Sequence, residues 1–135
     1  MIHGKKAAIL LRGELMQRWC DEGQMKVIKE RSVAVKVGSM TLISTYIPVD
    51  TGANEDDIEE TWEEVRNLME WAGRHETLII GGDFNAHIGR GEDKPMCGMF
   101  GLRESNRQGR KMVERMEENG LVYVNSFYNH KRRGT

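Results

Sequence analysis

The chain has 135 residues, of which 39% are hydrophobic and 30% are charged, so it has neither a disordered nor a membrane composition. This length suits one domain with a buried core, and the longest apolar run, residues 7–11, is too short for a membrane span or a signal peptide. The net charge of −1 excludes a globally basic nucleic-acid binder, so any contact with nucleic acid must come from a local basic patch.

The cysteines and histidines indicate neither a disulfide framework nor a zinc site. Cys20 and Cys97 are isolated and form no C-x-x-C pair, which favours reduced thiols in an intracellular protein. The four histidines are too scattered to form a zinc site without cysteine ligands.

The first third of the sequence predicts strands. Residues 7–11 form a short apolar strand, and residues 24–37 form a longer strand region in which valines alternate with other residues. Residues 38–39 are typical of a two-residue hairpin turn. The chain then returns as a strand over 40–47, which Pro48 ends because proline donates no ladder hydrogen bond.

An amphipathic helix is predicted from residue 54 or 55 to about residue 73. Its apolar residues recur at spacings of three and four, and the stripe facing the core consists of Ile58, Trp62, Val65, Met69 and Ala72. Acidic residues crowd the first turns, where they favour the positive end of the helix dipole. We interpret them as a solvated helix face rather than as metal ligands.

The order of strand, helix and a further strand at 77–80 has a geometric consequence. A right-handed crossover makes the strands that end at Tyr46 and Gly81 parallel and brings their carboxyl ends to one edge of the sheet. Ligands of such folds bind at that edge. Tyr46 is therefore predicted to lie on the same side of the sheet as Asp83 and Asn85.

Residues 77–85, with the sequence TLIIGGDFN, carry the strongest chemical signal. Residues two apart in an extended segment project to the same face, so Asp83 and Asn85 are predicted to point into one pocket while Phe84 anchors the opposite side in the core. The two glycines allow another backbone or a ligand to come close. A carboxylate beside a neutral donor can orient a water and stabilise charge on a phosphoryl oxygen. The alternative is an Asp/Asn turn that closes a buried strand.

The last third of the sequence predicts a loop, a helix and a strand. Residues 88–104 are rich in glycine and charge without periodicity, which predicts a long loop that borders a substrate groove. A second helix is predicted over about 106–119, followed by a core strand at 121–124. The inward face of that helix consists of Met112, Val113 and Met116.

The string GGDFNAHIG at 81–89 resembles the signature of the endonuclease/exonuclease/phosphatase superfamily. It resembles in particular the apurinic-endonuclease-like domain of non-LTR retrotransposons and of host genes derived from them. Residues 45–48, Thr-Tyr-Ile-Pro, resemble a strand-end Tyr-x-Pro of the family, and Asn-Ser-Phe-Tyr at 125–128 resembles its Asn-Thr-x-Phe. The Gly-Leu-x-x-x-Asn at 101–106 favours the retroelement type over a phosphatase or phospholipid-diesterase branch, which stays an alternative.

The resemblance implies an α/β sandwich of mixed sheets flanked by helices, present here as a single incomplete domain over 1–135. It implies a phosphodiesterase that uses Mg²⁺ or Mn²⁺ to nick DNA by attack of water on the phosphate. Asp83 would orient or deprotonate the water, and Asn85 would donate a hydrogen bond to the phosphate or help to hold the residue that orients the nucleophile. Tyr46 would bind a phosphate oxygen or the leaving group.

Three further residues are assigned to the surroundings of the substrate. The resemblance gives His87 a packing or supporting role there, not that of the family's catalytic histidine. Lys131 and Arg132, in the basic tail, are candidates for contacts with phosphates. A solvated hairpin end is an equal alternative for this tail.

Two catalytic parts of the family pattern have no counterpart in the sequence: the metal-binding glutamate of a Gln-Glu pair, and the Ser-Asp-His motif. We therefore expect an internal fragment of a nuclear protein, with little or no activity and weak or absent metal binding by itself. Uncovered sheet faces and edges predict self-association. A catalytically silent module that binds nucleic acid or protein is the alternative of a different class.

Overall fold

The computed structural model describes residues 1–90 and 94–129, and the chain divides into two compact units, Met1–Phe84 and Asn85–Thr135. We call them the first unit and the second unit. The single incomplete domain inferred from the sequence stays a prediction. None of the helices in the described residues is long and apolar enough to cross a membrane.

The first unit has two sheets and two helices. In chain order its elements are β1 (Ile2–His3), β2 (Ala8–Ile9), α1 (Glu14–Asp21), β3 (Lys26–Ile28), β4 (Ser32–Val37), β5 (Met40–Tyr46), α2 (Glu55–Trp71) and β6 (Thr77–Asp83). β1 and β2 form a small antiparallel sheet, and the larger sheet has the order β3-β4-β5-β6. Its first three strands are antiparallel, whereas β5 and β6 are parallel. The predicted α/β class with mixed sheets is confirmed, and so is the parallel pair.

The strands follow the sequence pattern with one correction. The predicted strand region 24–37 is divided into β3 and β4, because the charged residues 29–31 turn the chain back on itself and the Lys29 amide donates to the Ser32 carbonyl over 2.8 Å. The hairpin turn after β4 is confirmed, with Gly38 at φ +59°. β5 alternates as its sequence predicts, since Thr41 and its neighbours two and four residues on are buried.

One face of the large sheet is covered by α1 and the small sheet. Its core consists of Ile2, Leu11, Trp19, Val33, Val35 and Val37. The sequence analysis missed β1 and α1, since α1 has only eight residues and two-residue strands show no periodicity. The predicted strand over 7–11 is correspondingly reduced to β2.

The other face of the large sheet is covered by α2, where Leu68 packs against Ala34 and Ile43. The helix is confirmed, but its buried stripe is rotated from the predicted one. Its buried residues are Ile58, Thr61, Val65 and Leu68, while the predicted Trp62 and Met69 are only half-buried at its flank.

The edge strand β6 is partly uncovered on the face opposite α2, where Ile79 is 51% exposed. An exposed apolar residue on an edge strand is compatible with association between sheets. Self-association of the chain stays a prediction.

The amino-terminal edge of the parallel pair carries a polar cluster around Glu76. Lys36 Nζ lies 3.1 Å from Glu76 Oε1 and 4.7 Å from the centre of the Trp71 ring. The hydroxyl of Thr41 donates to the same carboxylate. The Thr41 hydroxyl, then the backbone N–H of Gly73 and then Lys36 lower the pKa of Glu76 from its ordinary value.

The second unit is built around the helix α3 (Arg107–Glu118), which confirms the predicted second helix and its inward face of Met112, Val113 and Met116. Apart from this helix and a 3₁₀ turn at Val124–Phe127, its described residues have two isolated bridges, Gly89 with Leu102 and Cys97 with Tyr123. The predicted irregular course of 88–104 agrees with this in its described part.

The predicted strand at 121–124 is wrong. Only Tyr123 forms a bridge among these residues, and Val122 and Val124 are 56% and 57% exposed. Ser126 instead stabilises a turn, because its hydroxyl donates to the Tyr123 carbonyl over 2.6 Å and accepts from the Gly98 amide over 2.7 Å.

Candidate active site

Tyr46 and Asp83 lie opposite each other at the carboxyl ends of β5 and β6. The two residues are paired in register, and the amide of Ile47 donates to the Asp83 carbonyl over 2.8 Å, which holds the strand ends together. Paired residues of adjacent strands share a face and have backbones roughly 4.8 Å apart. Asp83 is exposed and Tyr46 is half-buried. The predicted shared edge of the sheet is therefore observed for these two residues.

The two glycines before Asp83 have different roles. Gly82 pairs with Thr45 at φ +147°, and a Cβ there would lie 1.9 Å from the Thr45 carbonyl oxygen. Only glycine fits this position, so the predicted close approach of another backbone is confirmed for Gly82. A Cβ on Gly81 would meet no atom of the described residues within 4 Å.

The neighbouring strand β4 supports this edge from the side. The buried hydroxyls of Ser32 and Thr45 are 2.9 Å apart, and the Tyr46 amide donates to the Arg31 carbonyl over 2.9 Å. The backbone position of Tyr46 is thus fixed by the hydrogen bond of its own amide and by the hydrogen bonds of Thr45 and Ile47, which precede and follow it.

Arg31 is a cation at this edge that the sequence analysis missed. Its Nη2 lies 4.0 Å from Asp57 Oδ2, its amide donates to Glu64 Oε2 over 3.3 Å, and its Nε is buried without a hydrogen-bond partner in the described part of the chain. Both carboxylates belong to α2, so Arg31 joins that helix to the edge of the sheet. Its position one residue before a valine-rich strand was the available signal.

Phe84, predicted to anchor the side opposite Asp83 in the core, packs against Trp62 of α2. Its ring stacks on Trp62 with centroids 6.0 Å apart and planes 27° apart, and the side chain is half-buried. Stacked aromatic pairs contribute beyond the area they bury. The pair therefore anchors the chain directly after Asp83.

Asn85 does not have the predicted extended geometry. β6 ends at Asp83, and Asn85 has φ +46°, in the left-handed region that asparagine tolerates better than most residues. The alternation of side chains in a strand therefore does not reach Asn85, and its predicted position on one face with Asp83 is corrected. The assignment of Asn85 to the site stays a prediction.

Asn106 fixes the backbone conformation that follows Asn85. Its side-chain oxygen accepts from the Gly109 amide over 2.7 Å and from the His87 amide over 2.9 Å, and its side-chain nitrogen donates to the Asn85 carbonyl over 3.2 Å. One asparagine thus caps α3 and holds the loop 85–87. A Cβ on Gly109 would lie 1.8 Å from the His87 carbonyl oxygen, so this close approach requires glycine.

The sequence analysis quoted Asn106 in a family string and at the start of the predicted second helix, but missed this role. An asparagine at the start of a predicted helix was the signal that could have found it. His87 is exposed, and its amide and carbonyl are both bonded to Asn106. Lys131 and Arg132, the predicted phosphate contacts of the tail, lie outside the described residues.

The described residues contain no group of three or more His, Cys, Asp or Glu side chains that could hold a metal ion. Mg²⁺ prefers six oxygen ligands, part of which are water molecules or substrate phosphates. Asp83 contributes one carboxylate at the end of β6, and the metal cofactor of the complete domain stays a prediction.

Sequence comparison relates the chain to one kind of curated protein. It is 32% identical to Craniofacial development protein 2 of Bos taurus over 95 residues, which are 70% of this chain and 16% of that protein. It is 30% identical to Craniofacial development protein 2 of Tragulus javanicus over 95 residues, with the same coverage. No family model matches, and no solved structure matches with significance. The chain therefore spans only 16% of the length of these relatives.

Proposed function

We propose that the chain is part of a phosphodiesterase domain of the endonuclease/exonuclease/phosphatase superfamily, of the retroelement type that nicks DNA. The observation that carries the proposal is the pair Tyr46 and Asp83 at the carboxyl edge of two parallel strands, where α/β folds bind ligands. The string at 81–89 supports the same assignment by its resemblance to the family. A DNA substrate would place the complete protein in the nucleus.

Asp83 would act on the attacking water. Its carboxylate accepts a hydrogen bond from the water, directs the water oxygen at phosphorus and takes up the proton as the new P–O bond forms. The bond from phosphorus to the leaving sugar oxygen breaks, and that oxygen receives a proton from solvent. Asp83 suits this role because it is exposed at the end of a strand that is fixed by backbone hydrogen bonds.

Tyr46 and Asn85 would bind the phosphate. The phenol of Tyr46 would donate a hydrogen bond to a phosphate oxygen or to the leaving group, and the amide of Asn85 would donate to a second phosphate oxygen. Fixed donors stabilise charge that develops in the transition state without reorganising at the moment of reaction. The hydrogen bonds from Asn106 to the loop 85–87 would hold the backbone of that loop, Asn85 included, in place.

Mg²⁺ or Mn²⁺ would supply additional stabilisation of charge on the phosphate in the complete domain. The described residues contain no group of three or more His, Cys, Asp or Glu side chains that could hold it by themselves. The proposal therefore assigns to this chain only the orientation of water and the binding of phosphate.

A plasmid-nicking assay with Mg²⁺ tests the proposal. The proteins compared are this chain, a longer product of the same gene that includes a Ser-Asp-His motif, and Asp83→Ala in both. We expect little or no nicking by this chain, clear nicking by the longer protein, and its loss on Asp83→Ala. Asp21→Ala, an exposed aspartate at the end of α1, is the matched control and should nick normally.

Nicking that persists in Asp83→Ala would exclude the role given to Asp83. No nicking by any folded version would favour the silent binding module. Release of phosphate from monoesters, without nicking, would favour the phosphatase branch.

A further inference from the structure

The two units carry opposite charge, which the total of −1 conceals. The residues of the first unit include ten Lys or Arg and fifteen Asp or Glu, a net charge of −5. The residues of the second unit include ten Lys or Arg and six Asp or Glu, a net charge of +4. The chain therefore has the local basic region that contact with a polyanion requires.

Four arginines of the described second unit are exposed and lie in the chain before α3 or in its first turn, and we call them the arginine surface: Arg90, Arg103, Arg107 and Arg110. Arg107 is the first residue of the helix, and no acidic residue lies in its first turn. Residues 101–110 contain one acidic side chain, Glu104, against three arginines.

Hydrogen bonds place two of these guanidinium groups over one short segment. Arg90 Nε donates to the Gly101 carbonyl over 3.0 Å, and Arg110 Nη1 donates to the Ser105 carbonyl over 2.8 Å. This segment is residues 101–105, and five residues span at most about 14 Å when fully extended. The backbone of Arg103, whose side chain is exposed, is at the centre of this segment, between the two anchored guanidinium groups.

The segment beneath the arginine surface is held in place by polar contacts. The Arg90 amide donates to the Leu102 carbonyl over 2.8 Å, and the Gly89 amide donates to Ser105 Oγ over 2.9 Å. Asn106 then caps α3 through the Gly109 amide. The arginine surface is therefore carried by a backbone with fixed hydrogen bonds rather than by a loose tail.

We propose that the arginine surface binds the sugar-phosphate backbone of a nucleic acid; the choice of nucleic acid as the polyanion rests on the proposed function. A guanidinium group has five N–H donors and can bind two phosphate oxygens at once. The hydrogen bond to residues 101–105 uses one of these donors in Arg90 and one in Arg110. The residues assigned to catalysis do not include these arginines. The surface would hold the substrate without reading its sequence.

The test is binding of a short fluorescent DNA duplex to this chain in EDTA, measured by fluorescence anisotropy at several salt concentrations. The variant replaces Arg103, Arg107 and Arg110 by Gln. A matched control replaces three exposed arginines of the first unit, Arg12, Arg66 and Arg74, by Gln.

We expect the variant of the second unit to bind at least about tenfold more weakly, with a salt slope lower by roughly 0.9 for each phosphate that is no longer neutralised. The control should change the affinity by much less, since its charges lie in the first unit. Replacement of the same three residues of the second unit by Lys should restore most of the binding. Thermal melting of each variant checks that it is folded.

Equal weakening by both triple variants would overturn the proposal in favour of general charge attraction. Absence of duplex binding by the folded wild-type chain would also overturn it, and binding to phosphatidylserine vesicles alone would assign the arginines to lipid. Because EDTA removes any metal-dependent cleavage, failure of this binding test is distinguishable from failure of the nicking test.

Discussion

The two units of this chain are stabilised in different ways. The first unit has a four-stranded sheet with apolar clusters on both faces, and β4, β5 and α2 follow from hydrophobic periodicity. In the second unit, α3 packs inward through its apolar face, but side chains of Asn106, Ser105 and Ser126 hold the irregular segments through bonds to backbone groups. The strands before Phe84 are thus held by the hydrogen bonds of the sheet, whereas the irregular segments after it are held by single polar side chains.

The largest effect is expected at Gly82, where the pairing of β5 with β6 leaves no room for a side chain. Gly82→Ala should lower the free energy of unfolding by about 3 kcal/mol or more, because the new Cβ would collide with the Thr45 carbonyl and the backbone has positive φ. Urea unfolding measures this change. Gly81→Ala is the matched control next to it, and it should change stability by less than about 1 kcal/mol, since its Cβ would meet open space. Equal effects of the two substitutions would contradict the described pairing of β5 and β6.

An intermediate effect is expected in the second unit. Asn106→Ala removes the cap of α3 and the bonds to the loop 85–87, and it should cost about 1–2 kcal/mol of unfolding free energy. Faster hydrogen exchange at the His87 amide should accompany the loss.

Asn106→Asp sharpens this result because aspartate keeps the acceptor but loses the donor. The cap to the Gly109 amide should survive, so that stability lies between those of wild type and Asn106→Ala. Unchanged exchange at His87 in Asn106→Ala would show that the loop does not depend on this side chain.

The smallest effect is expected from Glu76, at the amino-terminal edge of the parallel strands. The fold lowers the pKa of this carboxyl, mainly through the Thr41 hydroxyl. The ionised carboxylate therefore stabilises the folded state at pH values above its ordinary pKa of 4.5, and this contribution is lost as the pH falls below 4.5. In Glu76→Gln this contribution is absent. The difference in melting temperature between wild type and variant should therefore shrink as the pH is lowered below 4.5. A difference that stays constant with pH would exclude ionised Glu76 as its source.

Part of the candidate site could be predicted from the sequence, because local periodicity and one chirality rule sufficed. The alternation in β5, the apolar run of β6 and the helix between them predict a parallel pair, which brings Tyr46 and Asp83 to one edge. The same reasoning failed at Asn85, since it assumed that the strand continues past Asp83. It also missed Arg31, whose place beside Tyr46 depends on the pairing of β4 with β5.

The sequence by itself determined the α/β class, the helices α2 and α3 and the edge that carries Tyr46 and Asp83, because these follow from the spacing of apolar residues along each segment, the order of the segments and the handedness of the crossover. Only the tertiary structure decided that the residues at 121–124 form no strand and that Asn106 holds the loop after Asn85. Both outcomes depend on partners far along the chain: a strand needs a neighbour with free backbone groups, and a capping side chain needs a loop within its reach.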